Sequence, residues 1–400
     1  MAQLLARRAA LAGLGALMVG SIRAEDGAEA RAVTWLAGWD SHDIHRTATA
    51  GDRQGADWLT AEARALGATV DIESFPLDRL DPVAAFVELE GTRYPGVAMF
   101  DAPDTRDGRV HALANEIGKG EGLIGLGVTS PLQVYSPDFQ RMRRETPHWA
   151  LVLVTEGGAP GLALLNAESF TRPYGPAILQ VPSELKSLLF GAIARGAALR
   201  VVTRSTRTRT TAPNVVVTLK GRDATRPPLV VMTPRSSWFV STAERGGGLV
   251  CWLECLRALA GRQPGRDVVF TANSGHELGH IGLDAFLDRR PGWLTGAEFV
   301  HFGANIGAAG GALSVVSGHD DLRARMSAAL TAAGLKHATS AAMPNGETRD
   351  IHRAGGRYIT LVGGNALFHL PQDRLPHAVA PDAVVRAAAA AVRVVSDLAA

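Results

Sequence analysis

Four hundred residues, 46% of them hydrophobic, can bury a large core and suggest two or three domains. A net charge of +2 provides no strong field for nucleic acid or anionic membranes. The two cysteines, Cys251 and Cys255, stand four apart in a helical pattern, a spacing poorly suited to a disulfide, and read as small buried hydrophobes.

Residues 1–24 differ from the rest. Arg7-Arg8 precede an apolar, glycine-containing run from Ala9 to Gly20, then Ser21-Ile22-Arg23-Ala24 before acidic residues. This fits a twin-arginine-type export signal, and so a periplasmic or secreted protein; an N-terminal membrane tether is the alternative. No later apolar run has spanning length, so the mature chain is expected to have no transmembrane span. Residues 25–80 read as helices followed by a strand. Leu59, Ala63 and Leu66 share one face of a helix over 52–66, Gly67 stops it, and Val70 to Phe75 alternates as a strand. Residues 81–210 read as a β-rich insert: strands at 149–154 and 175–181, a helix at 185–195 and a strand at 198–203. Arg204, Arg207 and Arg209, threaded with threonine, read as a solvated strand or linker. Over 211–400, strands at 215–219, 229–232, 267–272, 299–302 and 358–362 alternate with helices at 249–260, 280–287, 321–333 and 381–398. That alternation predicts an α/β fold with a mostly parallel sheet covered on both faces and a site beyond the strands' carboxyl ends.

Ser274-Gly275-His276-Glu277-Leu278-Gly279-His280 follows one of these strands and has two readings. His-Glu-x-x-His on a helix would set two zinc-binding histidines one turn apart. Gly275, Gly279 and Gly282 weaken a helix here, and no third histidine follows at the longer zinc-protease spacing. The preferred reading is a strand end delivering Glu277 to the sheet edge, with His280 a helix-start residue lining the cleft. Ser236 belongs to no nucleophile elbow, because the chain has no Gly-x-Ser-x-Gly.

Several landmarks fall in a telling order: His45-Arg46-Thr47 with Gly51-Asp52, the stretch 178–203, Thr211 to Gly221, and Phe368-His369-Leu370-Pro371-Gln372-Asp373. Over roughly residues 40–398 the chain resembles the zinc aminopeptidase family of leucyl aminopeptidases, glutamate carboxypeptidase-like proteins and glutaminyl cyclases. The resemblance implies a three-layer aminopeptidase-like fold, with 81–210 as a protease-associated-like insert. It also implies a two-zinc site that polarises a carbonyl and activates water.

Carried over residue by residue, that site is altered. Pro234-Arg235-Ser236 stands where the family has His-x-Asp, and Ala304 where it has a later Asp. Glu244 takes the bridging position, Glu277 the ligand position and His369 the last-histidine position, while His276 replaces the general-base Glu. The missing ligands belong to one metal only, so the resemblance implies a single zinc on Glu244, Glu277 and His369, with His276 as base. A ligand role for His276 is the alternative. The implied activity is metal-dependent hydrolysis of a peptide or small amide; the other reading is an inactive binding or scaffold protein. Asp373 is expected to support His369 or to cap a turn, and His301 to orient a ligand or pack. Asp350 and His352 are candidates for the pocket. Arg235 and Arg245 would greet a carboxylate or replace the missing metal's charge.

Overall fold

A computed structural model describes residues 27–119 and 123–400, so the export signal expected in residues 1–24 lies outside the described residues. The described residues open with helices α1 (Ala28–Asp40) and α2 (Ala50–Ala65). Thr49 starts α2 by accepting the Asp52 amide, and Gly67 follows its end at φ +85°. Leu59 and Ala63 are buried along its expected face.

A β-rich unit comes next: β1 (Val70–Leu89), β2 (Thr92–Pro95), β3 (Val97–Ala98), β4 (Val110–Glu116), β5 (Ile124–Thr129), α3 (Pro137–Glu145), β6 (Ala150–Thr155), β7 (Ala177–Pro182), α4 (Lys186–Ala194) and β8 (Ala198–Leu219). Strands β4 to β7 run parallel over a core that includes Val87, Ile124, Val152, Leu179 and Val201. The α/β part follows with β9 (Leu229–Pro234), α5 (Gly247–Leu259), β10 (Val268–Asn273), α6 (Ile281–Asp288), α7 (Trp293–Gly296), β11 (Glu298–Phe302), β12 (Leu313–Val316), α8 (Asp320–Ala332), β13 (His337–Ser340), α9 (Thr348–Arg353), β14 (Arg357–Gly363) and α10 (Pro381–Ala399). Strands β14, β11, β9 and β10 are mutually parallel. Every residue of β9, β10 and β11 is buried, as continuous apolar strands under helices on both faces require. The α/β expectation holds. Cys251 and Cys255 are free and buried, and burial pushes both thiols up. Among the described residues no helix is long and apolar enough to cross a membrane.

The two sheets share a ribbon. β1 pairs antiparallel with β8 from Val70 opposite Val217 to Leu89 opposite Leu199, with one register shift between Pro82 and Ala84. One end of β8 bonds to β10 and the other to β4. The sequence suggests separate strands at 198–203 and 215–219 around an arginine-rich segment, but they are one strand. Residues 204–211 are exposed or half-buried, so neither face carries the apolar alternation that marks a strand.

Candidate functional site

The loops leaving the carboxyl ends of β9, β10, β11 and β14 converge, as an open parallel sheet predicts. Their backbone is unusual. Of seven non-glycine residues with positive φ among the described residues, four stand on these loops: Ser241 (52°), His280 (65°), Asn305 (67°) and His369 (60°). Each such conformation costs about 1–3 kcal/mol and persists only where its surroundings hold it.

The loop after β9 brings Glu244 and Arg245 in on a wide turn, Thr242–Gly246, at the start of α5. Asp373 fastens this turn: its carboxylate accepts the Ala243 amide at 2.8 Å and the Glu244 amide at 3.0 Å. Asp373 therefore has the turn-capping role of its two expected roles. Burial and the Glu244 charge raise it to about 7. The His369 ring is held by another group, the Leu164 carbonyl, which accepts its Nδ1–H.

Glu244 is completely buried. Arg245 Nη2 lies 2.6 Å from its Oε1, and Arg245 Nε donates to the Ser236 carbonyl at 2.7 Å. Burial opposes ionisation of Glu244, but the Arg245 guanidinium and then His369 prevail and pull it down to about 2. Arg235 faces a different partner, the buried Asp52, at 2.8 Å. Its guanidinium also donates to the Asp52 and Pro213 carbonyls, which fixes it in the wall beside α2.

The loop after β10 is bent by Gly275 (φ 84°) and Gly279 (φ 81°), a conformation a side chain would strain. Between them His276–Leu278 forms one tight turn, and the helix begins only at Ile281. His276 and His280 therefore do not share a helical face; their rings stand 5.1 Å apart on a left-handed bend. The Glu277 carboxylate is fully engaged. Oε1 accepts the Thr47 amide and hydroxyl, both at 2.7 Å, and Oε2 accepts the Ser236 hydroxyl at 2.6 Å.

The structure thus brings Glu244 and His369 together, with Oε1 and Nε2 3.4 Å apart, and turns Glu277 towards Thr47 and Ser236. Because Nδ1 of His369 donates to Leu164, Nε2 is the ring nitrogen turned towards Glu244, the orientation a metal-binding imidazole takes. A two-zinc set does not fit these residues. Pro234 and Ala304 offer no side-chain donor, a guanidinium already neutralises Glu244, and the Glu277 oxygens are taken. Among the described residues no three His, Cys, Asp or Glu side chains are gathered as a metal site.

Across the cleft His276 and His301 face Glu347, with the His280 ring beside that of His276, all four buried. Burial holds His276 well below its ordinary range, helped by the charge of Arg245, so it is neutral and a weak base. His280 falls to about 4 through burial, despite Glu347. Glu347 escaped the sequence reading because it stands in a loop before a six-residue helix, where no periodicity marks it. Thr47 escaped because it meets Glu277 only through the fold.

A cavity of about 390 Å³ opens onto this region, lined by His276, His301, Ala304, Leu132, Tyr135 and Phe368 among others. Asp350 and His352 are not among its lining residues. Asp350 pairs with Arg353 at 3.3 Å, and His352 Nδ1 lies 2.9 Å from the Tyr358 hydroxyl, so α9 turns both away.

No protein-family model matches this sequence, and no curated protein sequence does. Solved structures share its fold. An aminopeptidase from Aneurinibacillus sp. strain AM-1 is 14% identical, with 92% of this chain and 93% of that chain covered at a TM-score of 0.67. BSAP, a zinc aminopeptidase from Bacillus subtilis, is 16% identical, with 90% and 94% covered at 0.68. A Peptidase M28 precursor from Shewanella amazonensis SB2B is 14% identical, with 93% and 96% covered at 0.68. At such identities the likeness is one of fold.

Proposed function

We propose that this chain is an exported protein of aminopeptidase fold that binds a peptide or small amide in its cleft without two-zinc hydrolysis. The contact that carries this reading is Arg245 Nη2 to Glu244 Oε1, 2.6 Å between two fully buried side chains. A guanidinium there supplies the positive charge that a bridging carboxylate otherwise takes from metal. The cavity supports a ligand of this class, since Leu132, Tyr135 and Phe368 give it apolar walls beside the polar floor. Leu132 and Tyr135 come from the 81–210 region, which we read as a protease-associated-like insert that shapes the cleft.

A second reading, metal-dependent hydrolysis with one zinc on Glu244, Glu277 and His369, is favoured by one observation. Nε2 of His369 faces Glu244 Oε1 at 3.4 Å without a hydrogen bond. Zinc held there would polarise an amide carbonyl. Arg245 would have to leave Glu244, Glu277 would have to release Thr47 and Ser236, and His276 would have to take the water proton. Isothermal titration with peptides and aminoacyl amides, beside turnover assays on the same panel, separates the two. Binding without turnover is expected. Turnover that disappears in both Glu277→Ala and His369→Ala would overturn the proposal in favour of the one-zinc site.

A further inference from the structure

A second cavity, of about 400 Å³, lies on the β-rich unit, between the loop after β3, the end of α3 and the approaches to β6 and β7. It shares no lining residue with the cleft cavity, and its size is that of a small-molecule site. Its wall carries three arginines, Arg106, Arg143 and Arg144, against one acid, Asp104. Arg143 and Asp104 are already engaged. Arg143 is buried with its Nη1 3.0 Å from Asp101, and the Asp104 carboxylate accepts the Ser205 amide at 2.9 Å and its hydroxyl at 3.0 Å.

Arg106 and Arg144 are different. Both are exposed, and neither makes an ion pair or a side-chain hydrogen bond with any described residue. Most exposed arginines are merely solvated, but each of these is restrained by an aromatic ring. Arg106 Cζ stands 4.7 Å from the Trp149 ring centroid, and Arg144 Cζ stands 5.1 Å from that of Tyr174. The Tyr174 ring also holds Arg143 at 3.9 Å, and its hydroxyl donates to Gln140, which fixes the ring in turn. Contact with a ring restrains a guanidinium without neutralising its charge or committing its N–H donors to an acceptor. Less side-chain entropy is then lost when a ligand arrives. Like charges on one concave wall concentrate their field, and guanidinium donors match the paired oxygens of carboxylate and phosphate. Trp149, 46% exposed, and Pro147 add apolar surface for the body of a ligand.

We propose that this cavity binds a small ligand carrying two oxyanions, carboxylate or phosphate, with Arg106 and Arg144 each taking one against Trp149. The site is separate from the cleft, and the inference stands whatever the cleft binds.

The test is isothermal titration of the full chain with glutarate and with pyrophosphate at low salt. Saturable one-to-one binding of at least one probe is expected, and the tighter of the two tells dicarboxylate from phosphate. Arg106→Gln and Arg144→Gln should each weaken that binding roughly ten-fold or more. Arg109→Gln, also at an exposed position but outside the cavity, should leave it unchanged. An equal loss there would reduce the effect to general attraction by positive charge and overturn the inference. No saturable binding of either probe at millimolar concentration would overturn it too. So would binding that neither Arg106→Gln nor Arg144→Gln weakens, which would move the anion to another surface such as the Arg204, Arg207 and Arg209 stretch. Crystals of the unaltered chain soaked in the tighter probe locate it directly, so a variant that fails to fold leaves the test intact.

Discussion

The two faces of the cleft treat buried carboxylates in opposite ways. On one, the chain answers each acid itself: Asp52 with Arg235, Glu244 with Arg245, Glu277 with Thr47 and Ser236. On the other, Glu347 meets only imidazoles, at 3.4 and 3.9 Å. Both faces are equally dry, so the difference lies in where compensation comes from. Carboxylates this deeply buried need compensation, and an adjacent arginine supplies it directly.

Breaking the self-sufficient face should cost most. Arg245→Met leaves Glu244 buried and unpaired and should destabilise the fold by about 3–5 kcal/mol in chemical denaturation. Adding Glu244→Gln to that variant should recover part of the loss; no recovery would mean that the pair is not the unit described. Thr47→Val keeps the shape but removes a 2.7 Å hydroxyl bond to Glu277, an expected loss of about 1.5–3 kcal/mol. A neutral result would show that the Thr47 amide and Ser236 suffice.

A pH series sharpens the contrast further. Asp373, raised to about 7, contributes stability that is full below the ordinary carboxylate value near 4 and is lost as pH rises through 7. Glu244, lowered to about 2, does the reverse: its contribution is present above about 4.5 and is lost as pH falls towards 2. Asp373→Asn should flatten the dependence of the melting temperature on pH between 4 and 7; an unchanged slope would remove Asp373 from this account. The smallest effect is expected on the other face. Glu347→Gln breaks no hydrogen bond to protein and should be neutral or stabilising by up to about 1 kcal/mol. A clear loss would reveal a protein partner for Glu347.

The parallel strands were legible because burial on both faces leaves continuous apolar runs such as Val268-Val269-Phe270 and Leu229-Val230-Val231. β1 was legible only to Phe75, since Pro76 and Pro82 argue against a strand that in fact continues to Leu89. At the site, sequence order located Glu244, Glu277 and His369 but not the direction in which each points. The partners that set those directions are distant in sequence: Thr47 for Glu277 and Leu164 for His369. Arg245 was legible as a charge near Glu244 because the two adjoin in sequence, but not the 2.6 Å contact between them. The grouping around Glu347 joins three segments, the loop carrying His276 and His280, the strand carrying His301 and the loop carrying Glu347, by tertiary folding alone.

The long ribbon has a consequence for assembly. Val70 and Val217 become partners across about 150 intervening residues, so zipping β1 onto β8 closes a very large loop. The smaller sheet can gather its strands over shorter separations first, which would bring the ribbon's arms together at Leu89 and Leu199 before the α/β sheet receives its β8 edge. The cleft, built from both units, would then be among the last features to mature.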